Sequence, residues 1–379
     1  MTLAAPTGRA AKRLSEATGV PAATVHRMLE VNGGVEDEER TFIQFDRNAE
    51  NPLETDVVIF DEMSMVDTWL FHALLSAIDP GTHLIMVGDD KQLPSVGPGA
   101  VLKDIIDSGG IKVITLKHVF RQAEKSNIVK NAHAMLEGRE LLIDNKNSED
   151  FYFLEMDDEE HIIEGIIYLV RKKLSGYLKI NPYEVQVMAP MKKGSLGIVN
   201  LNERLRAALN PIRTDDEEIK GSFGSFRVGD KVMQIKNNYE MNWLMEREDS
   251  PLRESGKGVF NGDMGTVTDI YDSETLRVLF DDGRAAVYSK ERLSELELSF
   301  AITIHKSQGS EYPAVIVPIL SGPEILMTRN ILYTAITRAK RCVVLIGSKK
   351  TVMSMIKNDR EQLRYTGLRF ALEKLCSDQ

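Results

Sequence analysis

The stretch DVVIFDEMS, residues 56–64, sets an unbroken apolar run, Val57 to Phe60, directly against two acids, Asp61 and Glu62. A run without alternation reads as a strand buried on both faces, the condition of a parallel sheet covered by helices. In open parallel sheets ligands gather at the carboxyl ends of the strands, where these two acids stand. An Asp there can hold Mg²⁺ between nucleotide phosphates, and a neighbouring Glu can orient or deprotonate an attacking water. The same pair could also simply cap the helix that follows, since carboxylates favour helix N-termini.

Working outward, five more β-branched runs read as strands: His83 to Val87, Lys112 to Leu116, Glu184 to Met188, Ala314 to Ile319 and Cys342 to Ile346. Helical patterns lie between most of them. VDTWLFHALLSAI places Val66, Trp69, Leu70, Ala73, Leu74 and Ala77 on one face before Pro80-Gly81 stops it, and HIIEGIIYLVRKKL repeats Ile162, Ile163, Ile166, Ile167 and Val170 at helical spacing. The expectation is an α/β protein with two parallel-sheet halves. Two segments break the alternation: Val31 to Pro52 reads as a β-hairpin insertion, and Gly221 to Glu297, with strands in VGDKVMQI, GDMGTVTDI, LRVLFDDG and RAAVYS, reads as a small β-barrel.

The whole chain has 379 residues, 42% hydrophobic and 27% charged, with a net charge of −10. Those values exclude a disordered chain and a uniformly basic nucleic-acid coat, so any nucleic-acid site is local. Two cysteines, Cys342 and Cys376, make neither a disulfide framework nor a zinc set. That usage and the lack of long apolar runs point to a cytoplasmic protein with no membrane partner and no structural metal.

Further candidates follow the strands. VGDDKQLPSVGPG (87–99) is a tight Gly/Pro loop from which Gln92 can reach a γ-phosphate or a metal-bound water, and LKHVFRQ offers Arg121 as a bidentate fork for phosphate. FAITIHKSQGSEYPAVIV and NILYTAITRAKRCVVLIG put Thr303, His305, Lys306, Gln308, Gly309, Glu311 and Arg338 on loops beside strands of the second sheet.

These stretches, in order, resemble the motifs of the RecD-like family of superfamily 1 helicases, 5′-to-3′ DNA translocases built on two RecA-like domains. APTGRAA (Ala5 to Ala11) resembles motif Ia, DEMS (Asp61 to Ser64) motif II, GDDKQLPSVGPG (Gly88 to Gly99) motif III, and FRQ (Phe120 to Gln122) motif IV. Ala189 to Asn202 resembles the opening of the second RecA-like domain, Ile302 to Tyr312 motif V, and Leu332 to Lys340 motif VI. The likeness covers nearly all of the chain.

The resemblance implies ATP and Mg²⁺ as cofactors, with Asp61 as the metal ligand, Glu62 as the water-activating base, Gln92 as a γ-phosphate sensor, and Arg121 and Arg338 as phosphate clamps, the latter an arginine finger. Gln308, Gly309 and Glu311 would line the nucleotide, and Pro6, Thr7, Val96, Thr303 and His305 would touch single-stranded DNA. His26, in TVHRML, is a packed or capping histidine on its own pattern and a DNA contact by resemblance. The partners implied are single-stranded DNA and duplex/single-strand junctions, in DNA repair or recombination. The domains expected are 1–150 with a strand-separating pin near 31–52, a second RecA-like domain from 151–220 and 298–379, and an SH3-like barrel at 221–297.

One departure is plain: no G-x-x-x-x-G-K-[ST] occurs, since Gly256-Lys257 has Pro251 in place of the first glycine and Gly258 in place of Ser or Thr. The expectation is a fragment of a longer helicase, short of its phosphate loop and inactive by itself; the alternative is a non-catalytic DNA-binding or partner-binding module. The full set Asp61, Glu62, Gln92, Arg121 and Arg338 favours the first.

Overall fold

A computed structural model of the chain describes residues 1–32, 44–116, 125–213, 217–221, 224–245, 254–271, 274–360 and 364–377. They form two compact units, Met1–Phe120 with Arg360–Gln379, and Arg121–Asp359. The sequence reading divides the chain at 150 and keeps the last residues in the second half; here the tail groups with the first.

In the first unit a four-stranded parallel sheet runs in the order Ala22–Thr24, Thr2–Ala5, Val57–Phe60, His83–Met86. Val58 and Phe60 pack with Leu29, Met63, Leu74, Val101 and Ile105 in one core. The helix Thr68–Ser76 starts where the Asp67 carboxylate accepts the Leu70 N–H at 2.8 Å. That start corrects the expected apolar face: Phe71 and Leu74 point to the core, whereas Trp69 is 66% exposed. A second correction concerns Lys112 to Leu116, which forms no strand; Ile114 and Leu116 stand in solvent. A parallel strand exists only through its ladder, and His83–Met86, the last strand of this sheet, pairs on one side only among the described residues. The hairpin insertion begins as expected, with Val31–Asn32 antiparallel to Gln44–Phe45, but its return strand stops at Phe45, short of the expected Pro52; its tip lies outside the described residues.

In the second unit a five-stranded parallel sheet runs Ala301–Thr303, Val185–Ala189, Tyr312–Ile319, Ala339–Gly347, Phe151–Glu155. Every residue of Val185–Ala189 is buried, as the unbroken apolar run demands. The helix Glu159–Tyr168 passes through a π-turn, Leu169–Lys173, into Leu174–Leu178 and lays Ile162, Ile166, Val170 and Leu174 on the sheet. Asn202, buried on the helix Ile198–Leu209, clamps the edge strand: its Nδ2 donates to Ala301 O at 2.8 Å and its Oδ1 accepts the Ala301 N–H at 2.9 Å.

Between these strands sits a seven-stranded antiparallel sheet, in the order Glu254–Val259, Asn238–Met245, Arg284–Ser289, Thr275–Phe280, Met264–Tyr271, Lys231–Gln234, Leu296–Leu298. Val232, Val267, Val278 and the fully buried Tyr288 fill its core. Arg206 reaches from the helix Ile198–Leu209 to Asp230 at 2.7 Å and Glu218 at 3.1 Å, joining the insertion to its parent unit through largely buried charge. No helix among the described residues is long and apolar enough to cross a membrane. Both cysteines are free, and burial pushes the Cys342 thiol up to about 12, which leaves it inert.

Candidate functional site

The strand Val57–Phe60 ends where the Asp61 N–H donates to Ala4 O at 3.0 Å and the Met63 N–H donates to Val87 O at 2.9 Å. The acids therefore sit at the carboxyl edge of the sheet, held by main-chain bonds to strands on either side. Asp61 turns one carboxylate oxygen inward to accept the Glu62 N–H at 2.8 Å. Glu62 adopts φ 56° and ψ 42°, a left-handed backbone without glycine. Such a residue costs about 1–3 kcal/mol and persists where its surroundings over-determine it, commonly at functional sites. Among the described residues no three acids, histidines or cysteines cluster as a protein-only metal cage. A Mg²⁺ held by one Asp and by phosphates and waters needs no such cage.

The 88–99 loop packs beside these acids. Gln92 Nε2 donates to Asp89 Oδ2 at 3.2 Å, and its buried Oε1 accepts no hydrogen bond among the described residues. A buried acceptor without a donor is an exception that calls for one. Gly97 and Gly99 press against the start of the helix Thr68–Ser76: a Cβ would fall 1.9 Å from Asp67 Oδ2 at the first and 2.0 Å from Thr68 Oγ1 at the second. Val96, just before these contacts, is 89% exposed.

Elsewhere in this unit Thr7 caps the helix Gly8–Thr18, its Oγ1 accepting the Ala10 N–H at 3.2 Å, and Pro6 lies on the same strand-to-helix turn, partly exposed. His26 packs against Phe45 with ring centroids 6.0 Å apart; burial lowers its pKa, partly countered by the Asp67 carboxylate, so the neutral ring is favoured. Arg121 lies outside the described residues.

The second unit carries its own set in the loops that flank its strands: Thr303 at the carboxyl end of one, Glu311 and Arg338 just before the amino ends of Tyr312–Ile319 and Ala339–Gly347. Thr303 ends a strand and is buried, His305 is exposed, and Gln308 and Gly309 are buried in the turn that follows, Gly309 at φ 69°. Arg338, at the end of the helix Arg329–Thr337, is 4% exposed and donates from Nη1 to Ser310 O at 3.3 Å. Arg338 thus bonds within the turn that holds Gln308, Gly309 and Glu311, at Ser310, and Lys340 lies 3.5 Å from the Glu311 carboxylate. Lys306 is engaged by Glu297 at 2.5 Å.

Residues 1–152 match the AAA domain family, 201–280 the ATP-dependent RecD-like DNA helicase SH3 domain, and 298–346 the UvrD-like helicase C-terminal domain. The ATP-dependent RecD2 DNA helicase of Deinococcus radiodurans is 34% identical over 347 residues, 91% of this chain and 42% of that protein. The RecBCD enzyme subunit RecD of Mycolicibacterium smegmatis is 31% identical over 394 residues, 97% of this chain and 65% of that protein. The chain belongs to the RecD-like helicase family. It spans less than two thirds of each of these relatives. A crystal structure of Pif1 helicase from Bacteroides, in complex with ADP-AlF3 and single-stranded DNA, aligns at a TM-score of 0.53 with 18% identity, covering 100% of this chain and 87% of that one, and it shares the fold: two RecA-like parallel sheets with an SH3-like insertion.

In this RecD-like chain the sequence reading overlooked Ser95 and Arg364. Arg364 donates to three main-chain carbonyls of the 88–99 loop, yet RYTGL carries no local pattern that points there. The only sequence signal is indirect: a Gly/Pro loop so poor in side chains leaves carbonyls that some distant donor must satisfy.

Proposed function

We propose that this chain is the core of an ATP-dependent DNA helicase that moves on single-stranded DNA and at duplex/single-strand junctions, and that by itself it hydrolyses ATP negligibly because its sequence lacks a phosphate loop. The observation that carries the reading is the pairing of strained acids with an unsatisfied amide oxygen: Glu62 held left-handed beside Asp61, and Gln92 Oε1 buried without a donor.

In this reading Asp61 holds Mg²⁺, Glu62 and Gln92 hold the attacking water, and Arg121 and Arg338 meet the phosphates, with Gln308, Gly309 and Glu311 lining the nucleotide. The bound Mg²⁺–ATP would supply charge neutralisation and the free energy of hydrolysis. Pro6, Thr7, His26, Val96, Thr303 and His305 contact the strand, largely through backbone and stacked bases and so without sequence preference. The 31–52 hairpin acts as the strand-separating pin, and the antiparallel insertion helps to grip DNA. The cytoplasm and DNA repair or recombination are the setting. The open edge at His83–Met86 supports an incomplete first sheet: Ile85 and Val87 are about half exposed, at 48% and 46%, and the apolar run Lys112 to Leu116 lies unpaired beyond them in sequence.

The absent G-x-x-x-x-G-K-[ST] favours a second reading, a non-catalytic module that binds DNA or a protein partner. DNA-stimulated ATPase separates the two. We expect none from this chain and robust turnover from a chain extended upstream through such a motif, with Arg338→Ala lowering that turnover about 10³-fold or more at unchanged oligonucleotide affinity. Turnover by the short chain refutes the phosphate-loop account. An extended chain that binds DNA but stays inert supports the module.

A further inference from the structure

The 88–99 loop is held from a direction that the helicase reading does not require. The Ser95 hydroxyl donates to Gly97 O at 3.1 Å, closing the loop on itself. Around it, Arg364 Nη1 donates to Ser95 Oγ at 3.1 Å, Gly97 O at 2.6 Å and Gly99 O at 2.7 Å, and Nη2 donates to Ser95 O. One guanidinium therefore grips the carbonyls on both sides of Val96, the most solvent-exposed apolar residue of the loop.

The grip is itself anchored. Two residues on, Thr366 Oγ1 donates to the buried Asp104 carboxylate at 2.9 Å, and the helix Leu368–Ser377 packs Leu368 and Leu372 into the core of the first unit. The opposite side of the loop is fixed by the close approach of Gly97 and Gly99 to Asp67 and Thr68. Loops rich in Gly and Pro at a surface are ordinarily loose. This one is clamped between a helix start and a charged fork, and what the clamp presents is a single bare valine.

We propose that Arg364 is a positioning residue, a latch from the tail that holds the Gln92–Gly99 loop so that Val96 meets a base or sugar of single-stranded DNA. The inference rests on the reading of this loop as a nucleic-acid contact. It assigns a task to the RYTGL segment and makes the grip on DNA depend on residues about as far along the chain as the fold allows. Arg364 bonds from two nitrogens held apart in a rigid fork, a span that the single ammonium of Lys does not cover, so Lys should replace Arg364 poorly.

The test uses the full chain, with hydrogen exchange of the 88–104 peptides and the affinity for a labelled oligo-deoxythymidine measured on Arg364→Ala, Arg364→Lys and Arg369→Ala. Arg369 belongs to the same tail and has only an exposed pairing with Glu373 at 2.7 Å and Asp107 at 3.9 Å. Expected is faster exchange confined to the loop in Arg364→Ala, affinity weakened about tenfold, an intermediate Arg364→Lys, and Arg369→Ala like the parent. Unchanged loop exchange in Arg364→Ala overturns the latch. A loosened loop with full affinity overturns its link to DNA. A parent chain that fails to bind the oligonucleotide refutes the helicase reading instead, while loop exchange still decides whether Arg364 holds the loop.

Discussion

Tyr312–Ile319 in the second unit lies between two parallel neighbours and is buried at nearly every position, whereas His83–Met86 in the first has one neighbour among the described residues and alternates between partly buried and exposed residues. Both sheets are built of apolar parallel strands flanked by polar loops, but the acids of the first follow their strand, whereas Glu311 and Arg338 of the second precede theirs. The sheets also differ in how far burial has gone. Charge follows the same division, since the first sheet offers acids at a strained turn and the second an arginine already sunk into its own unit. One sheet is built as a core, the other as a core with an open margin.

That contrast can be broken most decisively by truncating equivalent isoleucines. Ile316→Ala, at a fully buried position, is expected to cost about 2–5 kcal/mol, and Ile85→Ala, half exposed, less than about 1 kcal/mol, measured by denaturant unfolding. Equal losses would mean that the margin is covered in solution. Next in size, Asn202→Ala strips both partners from Ala301 and should cost about 1–3 kcal/mol, because a buried N–H and C=O are left unpaired. Glu62→Gly should run the other way: relief of the left-handed backbone raises stability by up to about 1 kcal/mol while removing a proposed catalytic group. A loss of thermal stability there would argue that the turn is not strained.

The smallest effects concern titration and surface charge. His26 has its pKa lowered below 6.5 in the folded chain, so the unfolded chain binds the proton first and stability present above pH 6.5 is lost as pH falls towards the folded value. His26→Gln should therefore flatten the decline in melting temperature between neutral and mildly acid pH; an unchanged slope would show that the ring is hydrated. In the antiparallel insertion, Lys257→Ala removes an exposed pair with Glu240 at 2.7 Å and should leave the melting temperature unchanged.

How much of this was legible in the sequence follows the same physics. Strands buried on both faces announce themselves as unbroken apolar runs, and Val57–Phe60, Val185–Ala189 and Ala339–Gly347 were read within a few residues of their bounds. Lys112–Leu116 has the composition of such a strand but forms no ladder here, and composition cannot report a missing neighbour. Asn238–Met245 and Glu254–Val259 escaped because their polar residues mimic loops, although they pair with each other. Trp69 was misplaced because a helix can be phased only once its cap is known, and Asp67 sets it. The acids, Gln92 and the Gln308–Arg338 set were legible as types at strand ends. Their strain, burial and mutual contacts were not, since these arise from the tertiary fold.

The first unit is interrupted: the chain leaves it near residue 120 and returns at 360. During synthesis, the helix Leu368–Ser377 and Arg364 emerge only after every strand of the second unit has been made. At elongation rates of about 5–20 residues per second, synthesis of the second unit holds the first incomplete for roughly ten seconds or more. Until then Leu368 and Leu372 are missing from the core around Val101 and Ile105, and the 88–99 loop has no clamp. The order of translation therefore completes the second unit before the first.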